Sequence, residues 1–199
     1  FMNIYNKALD ECSWMYETFD QHGNKKHINY TVWSDVFICS NCGAEVVFWD
    51  TAVDKENGGI KDSFTCLNCN AVLTKKSCKR AVKTFFDEYI GELVNLTKQV
   101  PVLIAYQVDN GELIKSPDES DFKLLQKIES TKIPYWVPTE RMPIGGESRR
   151  NDKYGITHSH HFFTHRNLYV LSTLWNAINE CGESADIKLA LYSVVTGVM

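Results

Sequence analysis

Cys39-Ser-Asn-Cys42-Gly43 and Cys66-Leu-Asn-Cys69-Asn70 are two Cys-x-x-Cys turns separated by one short hairpin's length of chain. Two such pairs at this separation are typical of one tetrahedral Zn²⁺ held by four thiolates, as in a zinc ribbon. Gly43 and Asn70 each follow a pair, where the chain leaves the turn with a positive φ that glycine and asparagine tolerate best. Two disulfides or four unrelated buried thiols are the alternatives. The sequence predicts a structural zinc site with the ligands Cys39, Cys42, Cys66 and Cys69.

The composition is that of an ordinary folded protein. Of the 199 residues, 44% are hydrophobic and 23% are charged, which is typical of soluble globular domains. The formal net charge of −4 predicts no strong overall affinity for nucleic acid, so any contact with DNA must come from a local patch. No apolar run approaches the length of a membrane span, and no signal peptide opens the chain. The remaining cysteines are typical of reduced thiols, so we expect a cytoplasmic protein that does not contact a membrane.

Hydrophobic periodicity predicts an α+β fold in three parts. Residues 1–38 contain an amphipathic helix over 3–19 and then a lead-in strand, with extended segments at 28–32 and 36–38. Residues 39–74 form the small β-rich zinc ribbon, whose strands are expected at 45–49, 60–65 and 71–74. So small a unit has little core of its own, and metal binding would supply much of its folding energy.

Residues 75–199 are predicted to contain extended chain, a hairpin and a helical C-terminal part. Pro101 implies an edge or a bend in the extended segment 93–108, and Asp109-Asn-Gly111 is a hairpin turn signal. Ser116-Pro-Asp-Glu119 reads as a capping box for a helix that runs to about Ser130 and buries Phe122, Leu125 and Ile128 or their neighbours. Thr164 is expected to cap a second helix over 165–181, and a last helix is expected over 184–195.

A long irregular segment, 133–155, leads into the densest group of functional side chains, Gly155-Ile-Thr-His158-Ser-His160-His161-Phe-Phe-Thr-His165-Arg166. One interpretation is a surface that faces nucleic acid, because cationic and aromatic side chains alternate there. Another is a second metal site, and a third is a loop ordered by hydrogen-bonded histidines. The basic run at 75–83 has the same ambiguity, and a solvated segment is favoured over a phosphate contact there. The predicted nucleic-acid contacts are Arg149, Arg150, Lys153, His158, His160, His161 and Arg166.

Several short segments together resemble a bacterial and archaeal family of DNA methylases, specific for adenine N6 or cytosine N4, that carry an inserted zinc-binding region. The resemblance covers about residues 3–180. The segments that carry it are Ile28-Asn-Tyr-Thr-Val-Trp-Ser-Asp-Val-Phe-Ile-Cys39, the two cysteine pairs, Lys98-Gln-Val-Pro-Val-Leu103, Ile133-Pro-Tyr-Trp136, Arg141-Met-Pro143, and Gly155-Ile-Thr-His158 through Asn167-Leu168.

The resemblance implies a cytoplasmic, S-adenosylmethionine-dependent enzyme that acts on exocyclic base amines, often in restriction-modification or phage defence. Such enzymes need a glycine-rich cofactor turn and an Asp/Asn-Pro-Pro-Tyr/Phe motif that receives a flipped base. This chain has neither Gly-x-Gly nor Pro-Pro. We therefore expect an internal segment that positions DNA while the methyltransferase core and its cofactor lie outside it, and we assign no catalytic residue. The competing hypotheses are a zinc-ribbon scaffold for a protein partner and a metal-dependent hydrolase centred on His158, His160 and His161.

Overall fold

The computed structural model describes residues 1–55 and 57–197. The predicted α+β class is confirmed: within the described residues, the chain forms ten strands and six α-helices. The strands are β1 (Glu17–Phe19), β2 (Lys25–Ile38), β3 (Glu45–Val47), β4 (Phe64–Thr65), β5 (Val72–Leu73), β6 (Lys79–Arg80), β7 (Val82–Asp87), β8 (Glu92–Thr97), β9 (Gln99–Val108) and β10 (Gly111–Lys115). The helices are α1 (Met2–Cys12), α2 (Phe48–Ala52), α3 (Glu119–Ser130), α4 (Gly146–Arg149), α5 (His165–Glu180) and α6 (Ala185–Gly197).

One long strand, β2, organises the sheet. It pairs with β1 and β9 along its length, and β9 pairs in turn with β10, all antiparallel. Its last residues also pair with β3 and β6, so that Ile38 faces Glu45 on one side and Lys79 on the other. Because Cys39 directly follows this strand, the end of β2 delivers the first zinc ligand.

The extended segment and the hairpin follow the sequence signals closely. β9 turns into β10 through the two residues between Val108 and Gly111, which face each other across the hairpin. Pro101 lies in a part of β9 that β10 does not reach, next to a register shift against β2. A proline without an N–H donor is tolerated there because only one neighbouring strand is present and the ladder is already irregular.

Two element boundaries outside the ribbon were predicted wrongly. The helix expected over 3–19 ends at Cys12, and a 3-10 turn over Ser13–Tyr16 leads into β1, where Glu17 faces His27. Apolar spacing alone could not show that the ladder with β2 claims these residues. The third helix begins after Asp118 instead of Ser116, because the Asp118 carboxylate accepts from the backbone of Ser120 and Asp121. Ile128 is buried as expected, whereas Phe122 is 49% exposed.

The helices pack into a core separate from that of the ribbon. Met15, Ile128 and Leu168 bring together the 3-10 turn, α3 and α5. The Glu11 carboxylate adds a polar tie, because it accepts hydrogen bonds from Tyr135 (2.8 Å) and Tyr169 (3.1 Å). Burial together with this carboxylate raises the pKa of each phenol to about 12, so both remain donors at neutral pH. This tie holds the N-terminal helix and the irregular segment against α5.

Candidate functional site

The four cysteines of the ribbon converge as a metal site requires. All four sulfurs lie within 4.8 Å of one another. Cys39 and Cys69 are 3.7 Å apart at Sγ, and Cys42 and Cys66 are 3.8 Å apart. A tetrahedral zinc ion with Zn–S bonds of about 2.3 Å separates its sulfurs by about 3.8 Å. A disulfide needs an S–S distance of about 2.05 Å, so the geometry fits a shared metal and excludes two disulfides.

Both cysteine pairs stand on the same backbone turn. The Gly43 amide donates to the Cys39 carbonyl, and the Asn70 amide donates to the Cys66 carbonyl, each at 2.9 Å. Gly43 has a φ of 74° and Asn70 a φ of 59°, as predicted from their positions after the pairs. Each turn therefore presents its two thiols in the same direction, and the hairpin between them brings the two turns face to face.

Two asparagines that the sequence analysis missed connect the turns. The Asn41 side chain donates to Cys69 Sγ at 3.4 Å, and the Asn68 side chain donates to Cys42 Sγ at 3.5 Å. Both occupy the third position of their Cys-x-Asn-Cys turn, and this repeated asparagine was the available signal. The Asn68 amide helps to lower the pKa of the Cys42 thiol to about 6, and the Asn41 amide lowers that of Cys69. Amide donors of this kind stabilise the thiolate form that binds metal.

The ribbon supplies a four-thiolate site with no open position, which is the pattern of structural zinc. Its own core is small and aromatic, with Phe48 lying edge-on to Phe64 at 5.5 Å between ring centroids. Phe37, at the end of β2, completes the aromatic group. The strand at 45–49 was predicted too long, since β3 ends at Val47 and α2 follows. A core of this size depends on the ion for most of its stability.

Replacing one ligand tests the metal site. Cys66→Ser removes a buried thiol, and we expect loss of zinc and unfolding of the ribbon, because structural zinc contributes about 10–16 kcal/mol. Cys181→Ser is the matched control, since the Cys181 thiol bonds only to the Ile178 carbonyl, outside the ribbon. Elemental analysis should find one zinc per chain in the wild type and the control, and far less in Cys66→Ser. Full zinc content in that variant would contradict the four-thiolate site.

Two of the predicted nucleic-acid contacts in the irregular segment are already paired with carboxylates, and a third lies over an aromatic ring. Arg149 pairs with Asp152 at 3.1 Å, and Arg150 pairs with Glu147 at 3.0 Å. The Lys153 ammonium lies over the Tyr154 ring, 5.0 Å from its centroid. The charge of both arginines is therefore partly compensated by near neighbours in sequence. Both pairs lie within one turn of chain, so they remain surface interactions of small energy.

The histidines of the segment turn inward instead of facing solvent. His160 and His161 both donate from Nε2 to one carboxylate oxygen of Asp87, at 2.7 and 2.9 Å. All three side chains are at most 5% exposed. The Tyr89 amide donates to the other Asp87 oxygen at 3.0 Å. Asp87 stands at the end of β7, far away in sequence, so the sequence analysis did not identify it.

The Asp87 group could hold a metal by residue type, but its distances are those of hydrogen bonds. Ligand atoms at about 2.0–2.1 Å from a tetrahedral ion lie about 3.3 Å apart. The observed 2.7 and 2.9 Å are shorter and match charge-assisted N–H···O bonds. The interpretation as a loop ordered by hydrogen-bonded histidines therefore fits these residues better than a second metal site. The group clamps residues 155–166, called the histidine segment below, to the β7–β8 hairpin.

Burial and hydrogen bonding determine the charge in this clamp. Burial opposes ionisation of Asp87, but the bonds from His160 and His161 outweigh it and hold the pKa of the carboxyl below its ordinary value. Burial lowers the pKa of His161, and its Nδ1 accepts from the Thr157 amide at 3.4 Å. His161 is therefore a neutral ring that donates to an ionised Asp87.

This charge state predicts a loss of stability in acid. Since the pKa of His161 is lowered from 6.5 in the folded protein, the unfolded chain binds a proton first as the pH falls below that value. The contribution of His161 is therefore complete above pH 6.5 and disappears as the pH drops through the folded value. That of Asp87, whose pKa is lowered from 3.8, is lost at still lower pH.

The measurement is denaturant unfolding at pH values from 8 to 5 for the wild type and His161→Gln. The variant should be less stable at pH 8 by about 1–3 kcal/mol, because the Gln amide does not reproduce the hydrogen bonds that the buried ring forms at Nε2 with Asp87 and at Nδ1 with Thr157. It should also lose less stability on acidification. His22→Gln, in an exposed turn, should follow the wild type. Protonation of the ribbon thiolates also changes the free energy of unfolding in acid, but it does so equally in the wild type and both variants, so the comparison removes this effect. Equal acid sensitivity of His161→Gln and the wild type would contradict the neutral ring.

Gly155 fixes how closely the histidine segment approaches the hairpin. A Cβ at this position would lie 1.8 Å from the Asn95 carbonyl oxygen of β8. The residue also has a φ of 82°. Only glycine satisfies both the close approach and the left-handed backbone.

Gly155→Ala should therefore destabilise the protein by about 3 kcal/mol or more, since backbone strain and overpacking add. Gly23→Ala isolates the strain, because Gly23 has a φ of 79° but no atom within 4 Å of an added Cβ. That control should cost about 1–2 kcal/mol. Thermal unfolding of both variants measures the difference. Equal losses would show that the segment can move away from β8.

A further group of cations without acidic partners lies next to the ribbon. Lys75, Lys76 and Lys79 are exposed, and none forms an ion pair with a described residue. Their neighbours Arg80 and Lys83 pair with Asp35 and Glu129. Lys75 and Lys76 follow β5, and Lys79 begins β6, where it faces Ile38 directly before Cys39. Arg166 is also unpaired, but it is half-buried at the start of α5.

Comparisons with protein-family models, with curated proteins and with solved structures each find no match to this chain. Among the described residues, no helix combines the length and the apolar character needed to cross a bilayer.

Proposed function

We propose that this chain is a zinc-ribbon segment of an S-adenosylmethionine-dependent DNA methyltransferase, in which it positions the DNA for methylation of an exocyclic base amine. The zinc ion is structural, and the methyltransferase core with its cofactor lies outside these residues. The observation that carries the DNA contact is the group of unpaired lysines, Lys75, Lys76 and Lys79, held against the metal-clamped ribbon. The sequence resemblance supplies the kind of enzyme.

The physical argument for these lysines is their availability. Arg149 and Arg150 have carboxylates within 3.1 Å, and a phosphate must displace these before it binds. Lys76 and Lys79 have no such competitor among the described residues, and Lys75 lies over the Phe48 ring, 4.1 Å from its centroid. Phosphate contacts position a protein on DNA without reading its sequence. We therefore propose that the main DNA contact is made by the lysines next to the ribbon. Arg149, Arg150 and Lys153 are retained as weaker candidates.

A scaffold for a protein partner is the second candidate. It is favoured by the apolar exposure of the same ribbon, where Ile60, Leu67 and Val72 are 64%, 78% and 75% exposed. Exposed aliphatic side chains of this kind mark protein-contact surfaces more often than phosphate contacts. In this case the ribbon holds the two halves of the enzyme, or a second protein, and does not touch DNA.

Salt-dependent binding of the chain to a short DNA duplex separates the candidates. If the lysines bind phosphates, log affinity falls linearly with log salt, and replacing Lys75, Lys76 and Lys79 by Gln lowers the slope by about 2–3. The matched control replaces Lys7, Lys25 and Lys123 by Gln, since each of these is an exposed lysine already in an ion pair. The control removes the same charge and should keep most of the affinity.

Two further results bear on the assignment. If Arg149→Gln with Arg150→Gln weakens binding more than the lysine variant, the irregular segment faces the DNA after all. If neither the wild type nor any variant binds the duplex in a salt-dependent way, the result supports the second candidate, a scaffold for a protein partner. Tight binding of S-adenosylmethionine by this chain alone would show that the cofactor site had been placed wrongly.

A further inference from the structure

A cavity of about 230 Å³ lies between β2, α3 and the start of α5. Its walls are mixed: Ile28 and Leu125 are apolar, Trp33 is aromatic, and Thr31 and Arg166 are polar. This volume is below the range of about 300–1,000 Å³ found for sites of drug-sized ligands. A ligand of that size can therefore place only part of its volume inside the cavity. The cavity is separate from the zinc turns, the Asp87 clamp and the unpaired lysines, and nothing described above uses it.

Arg166 is the cation in the walls of this cavity, which the Glu129 carboxylate also lines. Glu129 is paired with Lys83. Arg166 forms no ion pair and no hydrogen bond with any described residue, although the Asp121 carboxylate favours its charge, and its Nε is buried without an acceptor. The Tyr16 ring centroid lies 5.2 Å from the guanidinium carbon. Burial lowers the pKa of the guanidinium, but an arginine remains charged at neutral pH. A half-buried cation without an acceptor costs free energy that an anion would recover.

A second polar atom in the cavity is also unsatisfied. The Thr31 hydroxyl is buried and has no hydrogen-bond partner, although buried hydroxyls almost always have one. Two unsatisfied polar atoms in the walls of one small cavity are unusual, and an oxygen-rich group could satisfy both. The start of α5 adds a favourable field for an anion at the same end.

The remaining walls suit a planar ring. Trp33 lies two residues beyond Thr31 on β2, so both side chains occupy the same side of the strand, and Ile28 and Leu125 are apolar. Tyr16 cannot offer a free face, since His27 stacks on it at 6.0 Å and Arg166 also contacts it. Trp33 is therefore the available stacking surface.

We propose that this cavity binds a nucleoside monophosphate unit, with the phosphate at Arg166 and Thr31 and the base against Trp33. An inorganic anion alone would leave the apolar walls unfilled, and a neutral aromatic ring would leave the guanidinium uncompensated. The unit can come from the end of a DNA strand or from a free nucleotide, which share this chemistry. The proposal does not depend on duplex binding by the ribbon lysines.

The test is calorimetric titration of the zinc-loaded chain with dAMP, deoxyadenosine and inorganic phosphate. We expect dAMP to bind and deoxyadenosine to bind about tenfold more weakly or worse, because a charge-assisted bond to phosphate is lost. Arg166→Gln should weaken dAMP by a similar factor. Lys7→Gln, which removes a surface cation that is already paired with Glu180, should leave dAMP binding unchanged.

The proposal is overturned if dAMP does not bind, if deoxyadenosine binds equally well, or if Arg166→Gln binds dAMP like the wild type. If Arg166→Gln does not fold, the comparison of dAMP with deoxyadenosine on the wild type decides, together with Thr31→Val, which should weaken dAMP only. A 5′-phosphorylated trinucleotide that binds at least as tightly as dAMP identifies a strand end, whereas binding of dAMP alone identifies a free nucleotide. If the variant with Lys75, Lys76 and Lys79 replaced by Gln no longer binds the duplex but still binds dAMP, the dAMP site is independent of the proposed DNA contact.

Discussion

The backbone ladder of β2 is the constraint on which the rest of the structure depends. A single strand of 14 residues supplies hydrogen bonds to β1, β3, β6 and β9, so the N-terminal part, the ribbon and the hairpin share one element. Its last residue precedes the first zinc ligand, and its middle forms a wall of the Arg166 cavity. A boundary at residue 38 therefore marks a change of function along the chain, but it is not a break in the fold.

Arginines and lysines that are paired with carboxylates have a structural role, whereas those without such a partner are available to bind a ligand. In a chain of net charge −4, most arginines and lysines near the histidine segment are held by carboxylates or aromatic rings. The Asp87 clamp applies the same principle to an anion, because two imidazole rings and a backbone amide satisfy one buried carboxylate. Lys75, Lys76, Lys79 and Arg166 are among the cations that form no ion pair with a described residue, so charge compensation guides the choice of binding candidates here as much as residue type does.

Local chemistry was predictable where it acts within a few residues. The metal turns, the hairpin at Asp109-Asn-Gly111 and the cap at Thr164 each depend on neighbours in sequence, and each was identified correctly. Predictions failed where a residue distant in sequence determines the local structure. Residues 13–19 continue the helical spacing, but 13–16 form a 3-10 turn and 17–19 pair with β2. Asp118 displaced Ser116 as the cap because its carboxylate reaches two amides.

By itself the sequence determined the α+β class, the clustering of the four cysteines at metal-binding distance and the turns that present them, because cysteine spacing and positive-φ residues act locally. The tertiary structure alone decided the role of the histidines. His160 and His161 resemble ligands or phosphate contacts until Asp87, 73 and 74 residues away, accepts hydrogen bonds from both rings. The tertiary structure alone also placed Arg166 in a cavity without an ion pair to any described residue. Whether a polar side chain is satisfied depends on partners that only the folded chain brings within hydrogen-bond distance.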